Sequence, residues 1–265
     1  MASESATISS NKIDLRFDSL RADGRKALVC YITAGHPDRQ RSLDLLKGLE
    51  DSGADVIELG VPFSDPIADG PIIQESSQIA LAGGMTLDAS LELVAEAGVT
   101  VPVVLFTYLN PLLSGGADVL SRTRDAGIDG VLVTDLPVGA DEDRERWLGE
   151  SDLAFIRLVA PTTPLDRMKE IARNGSGFVY LISRLGVTGA QKTLAADLPE
   201  TASRLRSATN LPICVGFGVS EPAQARAASA VADGVVVGSA IVRAAQDRIE
   251  NAFALVRSLR TALDS

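Results

Sequence analysis

A chain of 265 residues, 46% hydrophobic and 23% charged, has room for one large domain with a buried core, and this composition excludes disorder and a disulfide-stapled miniature. A net charge of −10 and a pI near 4.7 exclude the basic face that nucleic-acid binding needs. The single histidine, His36, excludes a multi-histidine metal site, and the two distant cysteines, Cys30 and Cys214, lie in apolar runs and read as buried free thiols of a reducing compartment.

Residues 1–12 are rich in Ser and Thr without an apolar stretch, so they read as a flexible leader and not a secretory signal. No apolar run reaches the roughly 18–20 residues that a membrane span needs. A cytoplasmic protein is expected, with residues 13–265 forming a single domain. A short helix over 15–21 precedes the first apolar, β-branched run at 27–33. Similar runs follow at 55–59, 101–107, 130–134, 154–159, 178–182, 212–216 and 234–237. Their continuous apolar character fits parallel strands buried on both faces.

Amphipathic helices lie between them. Residues 41–52 carry Leu43, Leu46 and Leu49 on one face and stop at Gly53. Thr86 caps a helix bearing Leu87, Leu91 and Val94. Thr163-Pro164 and Ser220 with Pro222 open two more. Three- and four-residue apolar spacing from Ile241 to Leu259 predicts one long final helix. Eight βα units in this length favour a (β/α)8 TIM barrel with an extra N-terminal helix. An open doubly wound sheet is the alternative, but no G-x-G-x-x-G follows the first strand.

A barrel of this kind keeps its chemistry at the C-terminal ends of its strands. Three turns there are glycine-rich: 186–189, 216–220, and Gly238-Ser239. The last two run straight into helices, where backbone amides free of side chains can cradle a phosphate. Glu58 shares a strand face with Val56, so it points into the barrel if Ile57 and Leu59 face the helices. Burial there raises a carboxyl's pKa and suits it to proton transfer near neutrality. Asp69 precedes Gly70-Pro71, so it either serves the chemistry or caps the next helix. At a helix start, backbone donors should keep it ionised. Tyr180 shares a face with Ile182 and can reach the same pocket.

The run Glu58-Leu-Gly-Val-Pro-Phe-Ser-Asp-Pro-Ile-Ala-Asp-Gly-Pro71 closely resembles the signature of the tryptophan synthase alpha subunit family. So do Thr107-Tyr-Leu-Asn-Pro111, Asp135-Leu-Pro137, Val159-Ala-Pro-Thr-Thr-Pro164, Ser183-Arg-Leu-Gly-Val-Thr-Gly189, Gly216-Phe-Gly-Val-Ser220 and Gly238-Ser-Ala-Ile-Val242. The resemblance implies aldol-type cleavage of indole-3-glycerol phosphate to indole and glyceraldehyde 3-phosphate, a step of tryptophan biosynthesis. It implies that Glu58 is the general acid/base and that Asp69 holds the indole N–H. Tyr180 would line the site, and Thr188 would close over Asp69. Gly189, Gly218, Gly238 and Ser239 would hold the phosphate. It implies no cofactor in this subunit. The partner would be a pyridoxal-phosphate beta subunit in an alpha2-beta2 heterotetramer, met by Asp65, Tyr108 and Asn110. The chain departs from the family pattern at His36, Cys30, the 114–116 turn and Leu185, and none of these is Glu58 or Asp69.

Overall fold

The computed structural model describes residues 11–182, 197–216 and 218–265. Along them run α1 (Lys12–Ala22), β1 (Ala27–Thr33), α2 (Arg39–Asp51), β2 (Val56–Gly60), α3 (Pro71–Ala82), α4 (Leu87–Ala97), β3 (Val103–Thr107), α5 (Leu109–Ser114), α6 (Val119–Asp125), β4 (Gly130–Val133), α7 (Glu142–Gly149), β5 (Ala154–Val159), α8 (Leu165–Arg173), β6 (Val179–Ile182), α9 (Leu198–Arg206), β7 (Ile213–Gly216), α10 (Pro222–Ser229), β8 (Gly234–Val237), α11 (Ser239–Asp247) and α12 (Ile249–Leu263). The strands pair in parallel and in chain order, and β1 closes on β8. The sheet is therefore a closed (β/α)8 barrel without an edge, as the alternation of elements predicts.

Alternation along each strand sorts the side chains into two cores. Leu28, Cys30, Ile32, Ile57, Leu59, Val103 and Leu105 face outward under the helices. Val29, Val56, Val104, Leu132, Ile156, Cys214 and Val236 face inward and fill the barrel. From α1, Ile13, Phe17 and Leu20 join this inner core and plug its bottom, with the Phe17 and Phe178 rings 5.6 Å apart. Asn11 caps α1 by accepting from the Ile13 amide at 2.9 Å, and it donates to the Asp129 carbonyl at 2.8 Å. The helix thus takes in Lys12, which composition alone assigns to the leader.

A buried carboxylate fastens the same end. Asp55 is 1% exposed and accepts from Arg16 at 2.5 Å, from Arg260 at 2.8 Å and from the Leu28 amide at 2.8 Å. It ties α1, β1 and α12 to the start of β2. With the bottom closed, the opposite rim is left for chemistry.

One expectation is corrected. The long final helix is two helices, broken where Arg248 adopts extended backbone (φ −147°, ψ 126°). Apolar spacing runs across the break because both pieces bury a face. Both pack on β1 but beside different helices: α11 against α3, and α12 against α2 and α10. A straight helix cannot serve both. Pro164 also differs from expectation, standing at the N-cap of α8 and not in its first turn.

Candidate active site

Glu58 enters the barrel from β2 as alternation predicts, since Ile57 and Leu59 face the helices while Val56 faces inward. It stands in register with Tyr31 on β1 and Val104 on β3. It is 1% exposed, and among the described residues neither carboxyl oxygen has a hydrogen-bond partner. Burial without a compensating donor penalises the anion and pushes the pKa up to about 8.

Asp69 does not cap α3. The cap is Gly70, with Pro71 at the first helical position and no side-chain cap bond. The Asp69 carboxylate instead accepts from the Tyr108 hydroxyl at 2.9 Å, and that hydroxyl accepts from the Ala68 amide at 2.9 Å. The expectation that backbone donors hold its pKa down is therefore corrected. Burial outweighs the tyrosine's hydrogen bond and pushes the pKa up to about 6. The loop around it is pinned by the Gln74 side-chain amide, which donates to the carbonyls of Asp69 at 2.9 Å and Pro66 at 3.3 Å.

Glu58 and Asp69 line one pocket with Tyr31, Ile72, Ile73, Phe106 and Tyr180. Tyr31 and Phe106 meet edge-on with centroids 5.2 Å apart. Two glycines make room for the aromatic walls. A Cβ on Gly60 would stand 2.1 Å from the Tyr31 hydroxyl, and one on Gly216 would stand 2.1 Å from the Tyr180 hydroxyl. The result is an apolar slot with a carboxyl group at two points of its wall, suited to a flat aromatic ring bearing one polar edge.

The remaining wall contains Gly218, Ser220, Gly238, Ser239 and Arg243. Gly218 has φ +92°, and among the described residues no atom outside its immediate chain neighbours lies within 4 Å of where its Cβ would stand. The two helix ends here differ. At α10, Glu221 and Gln224 form a capping box, and the Gln224 oxygen accepts from the amides of Ser220 at 2.8 Å and Glu221 at 3.2 Å. That end satisfies itself. At α11 the cap is Gly238 with no side-chain cap bond; the Ile241 and Val242 amides bond back to the Gly238 carbonyl, and the two helix amides before them are open to a ligand. Of the three glycine-rich turns from which a phosphate cradle is expected, the Gly218 turn and the start of α11 line this pocket. Thr188 and Gly189, the other expected contacts, lie outside the described residues.

A family model described as tryptophan synthase alpha chain matches residues 17–264. A tryptophan synthase alpha chain of Desulfatibacillum aliphaticivorans is 48% identical over 241 residues, covering 89% of this chain and 90% of that one. One from Caulobacter sp. (strain K31) is 46% identical over 249 residues, covering 92% and 89%. This chain belongs to the tryptophan synthase alpha chain family. A chain of Mycobacterium tuberculosis tryptophan synthase matches the fold with a TM-score of 0.89 at 36% identity, covering 96% of this chain and 99% of that one. Tryptophan synthase subunit alpha of Legionella pneumophila str. Paris matches with a TM-score of 0.85 at 36% identity, covering 97% and 99%. As a member of the alpha chain family the protein is a carbon–carbon lyase, cleaving indole-3-glycerol phosphate to indole and glyceraldehyde 3-phosphate. Among the described residues no helix is long and apolar enough to cross a membrane, and no cluster of His, Cys, Asp and Glu could hold a metal ion.

Among the pocket residues that escape the sequence reading are Tyr31, Phe106, Ile72, Ile73 and Arg243. Tyr31 and Phe106 have a detectable signal, since each lies two residues beyond an inward-facing valine near the end of its strand. Tyr108, expected to face a partner, is 3% exposed and spends its hydroxyl on Asp69. Asp65 and Asn110, expected beside it, are exposed.

Proposed function

We propose that Glu58 is the acid and base of the cleavage and that Asp69 stabilises the charged ring. The observation that carries this reading is the buried Glu58 carboxyl, without a hydrogen-bond partner among the described residues, whose pKa near 8 keeps it mostly protonated at neutral pH. Glu58 gives its proton to the indole ring carbon that bears the glycerol phosphate chain. The ring becomes cationic, and Asp69, largely ionised at the same pH, accepts the ring N–H and offsets that charge. The hydroxyl on the adjacent chain carbon then loses its proton to the Glu58 carboxylate. Its electrons form the aldehyde, and the carbon–carbon bond breaks toward the ring. Indole and glyceraldehyde 3-phosphate leave, and Glu58 is protonated as at the start. Two carboxyls whose environments separate their pKa values divide the work.

In this reading Tyr180 walls the ring, while the Gly218 turn, Gly238 and Ser239 hold the phosphate, completed by Thr188 and Gly189. No cofactor takes part in this subunit. The partner is a beta subunit carrying pyridoxal phosphate, in a cytoplasmic alpha2-beta2 assembly that receives indole at the rim. Exposure of Asp65 and Asn110, and of Ile67 at 82%, supports a docking face there. The deciding experiment is single-turnover indole release by wild type and Glu58→Gln. The variant keeps the shape and loses the proton, so turnover should fall by about 10²–10⁴-fold with ligand binding retained. Near-wild-type turnover would remove Glu58 from the role.

A further inference from the structure

We propose that Arg243 is a side-chain ligand of the substrate phosphate, leaning from α11 over Ser239 to pair with an oxygen that the backbone amides leave free. The inference deepens the phosphate site proposed above and rests on it. Arg243 lines the same pocket as Gly218, Gly238 and Ser239, and among the described residues it is the pocket's only lysine or arginine. The pocket is marked as a ligand site independently of the helix end, because the fully buried Glu58 carboxyl points into it without a partner among the described residues.

Direction follows from helix geometry. Arg243 lies four residues after Ser239, one turn along the same face, and side chains of a helix tilt toward its N-terminus. The guanidinium is thereby carried toward the open amides. It is carried away from Asp247, one turn further on, with which it makes no ion pair among the described residues. Most arginines on this acidic chain do find a carboxylate: Arg39 pairs with Glu96, Arg122 with Asp88 and Arg167 with Glu170. Arg243 pairs with no carboxylate among the described residues.

Charge explains the need. Among the described residues the carboxyls that line the pocket are Glu58 and Asp69, which oppose a phosphomonoester dianion whenever they ionise. The capping box of α10 has already used the Ser220 and Glu221 amides. A guanidinium adds the missing positive charge and a planar fork of donors matched to phosphate oxygens.

The test is calorimetric titration with glycerol 3-phosphate at low and moderate salt, using wild type, Arg243→Gln, Arg243→Lys and Gly218→Asp. Arg243 is exposed on a helix, so both of its variants should fold, which circular dichroism verifies. Arg243→Gln is expected to weaken binding about tenfold at low salt and to flatten the salt dependence. Arg243→Lys should fall between, keeping charge without the fork. If Arg243→Gln binds within twofold of wild type with the same salt dependence while Gly218→Asp loses binding, Arg243 is a bystander and the inference falls. If Arg243→Lys is as weak as Arg243→Gln at both salts, the charge pairing is overturned. If Gly218→Asp also binds normally, the phosphate reading itself fails.

Discussion

The Tyr108 hydroxyl donates to Asp69 Oδ2 across 2.9 Å and accepts from the Ala68 amide across 2.9 Å. The bond stabilises the Asp69 anion against the burial that disfavours it. Tyr108→Phe removes that donor and leaves the ring packed on Phe63, whose centroid is 5.0 Å away. The Asp69 pKa should therefore rise further. We expect kcat/KM to fall roughly tenfold near neutrality, with the acid flank of the pH profile moving upward by about one unit. Profiles of indole release for the two proteins check this, and an unmoved acid flank would mean that the tyrosine only packs.

The proposed division of labour needs Asp69 ionised and Glu58 protonated before the reaction starts. With pKa values of about 6 and about 8, kcat/KM should rise as pH passes up through the first and fall as it passes the second. The expected profile is a narrow bell for free enzyme. Asp69→Asn should be nearly inactive throughout, because its amide keeps a polar side chain but not the charge that offsets the cationic ring. A profile flat across this window would separate both carboxyls from the chemistry.

Glu58 also makes the fold pH-dependent. Its folded pKa lies above the usual carboxylate value of 4.5, at about 8, so between these limits the folded protein holds more protons than the unfolded chain. Stability must then decrease as pH rises through that window. Glu58→Gln removes the penalty of charging a buried carboxyl. It should match wild type near pH 4.5 and exceed it above pH 8 by a margin on the order of a few kcal/mol. Urea unfolding at the two ends of the range measures the difference, and an equal margin at both ends would contradict a buried titrating Glu58.

Much of this arrangement is legible in the residues themselves. The strand at 27–33 is continuously apolar and reads directly, and the parity of Val56, Ile57, Glu58 and Leu59 places the carboxyl inside the barrel. Helices with a strong stripe read equally well, as in α2 with its five buried positions. By contrast α7 buries only Leu148 among charged neighbours, so its spacing carries no signal. The Tyr108–Asp69 bond joins residues 39 apart and depends on how one loop folds over another, which no local pattern records. The expectation that backbone donors at a helix start hold the Asp69 pKa down fails for the same reason. Its position before Gly70-Pro71 suggests a cap, and only the packed loop shows that the backbone amides go elsewhere.

The docking role proposed for Asp65 predicts that partner response can be separated from chemistry. It is exposed and accepts from the neighbouring Ser64 hydroxyl at 2.5 Å, on the loop whose far end holds Asp69. Asp65→Asn should retain far more intrinsic indole release than either Glu58→Gln or Asp69→Asn. Its deficit should emerge when beta subunit is titrated in, as a weaker rise in activity. Activity assays with and without beta subunit decide the matter, and a full response in the variant would move the docking face away from this loop.

The phosphate cradle is tested most sharply at Gly218, where backbone strain and charge can be separated. Its φ of +92° is unfavourable for any L side chain, yet among the described residues no atom outside its chain neighbours lies within 4 Å of the Cβ position. Both Gly218→Ala and Gly218→Asp therefore carry a similar backbone cost, about 1–2 kcal/mol. Only aspartate also brings a negative charge to the place where phosphate must approach. We expect Gly218→Ala to weaken glycerol 3-phosphate by about tenfold and Gly218→Asp by well over tenfold more at low ionic strength. Added salt should narrow the gap between the two variants, since screening acts on the charge and not on the strain. Titrations at two salt concentrations read both effects, and equal affinities for the alanine and aspartate variants would place the phosphate away from this turn.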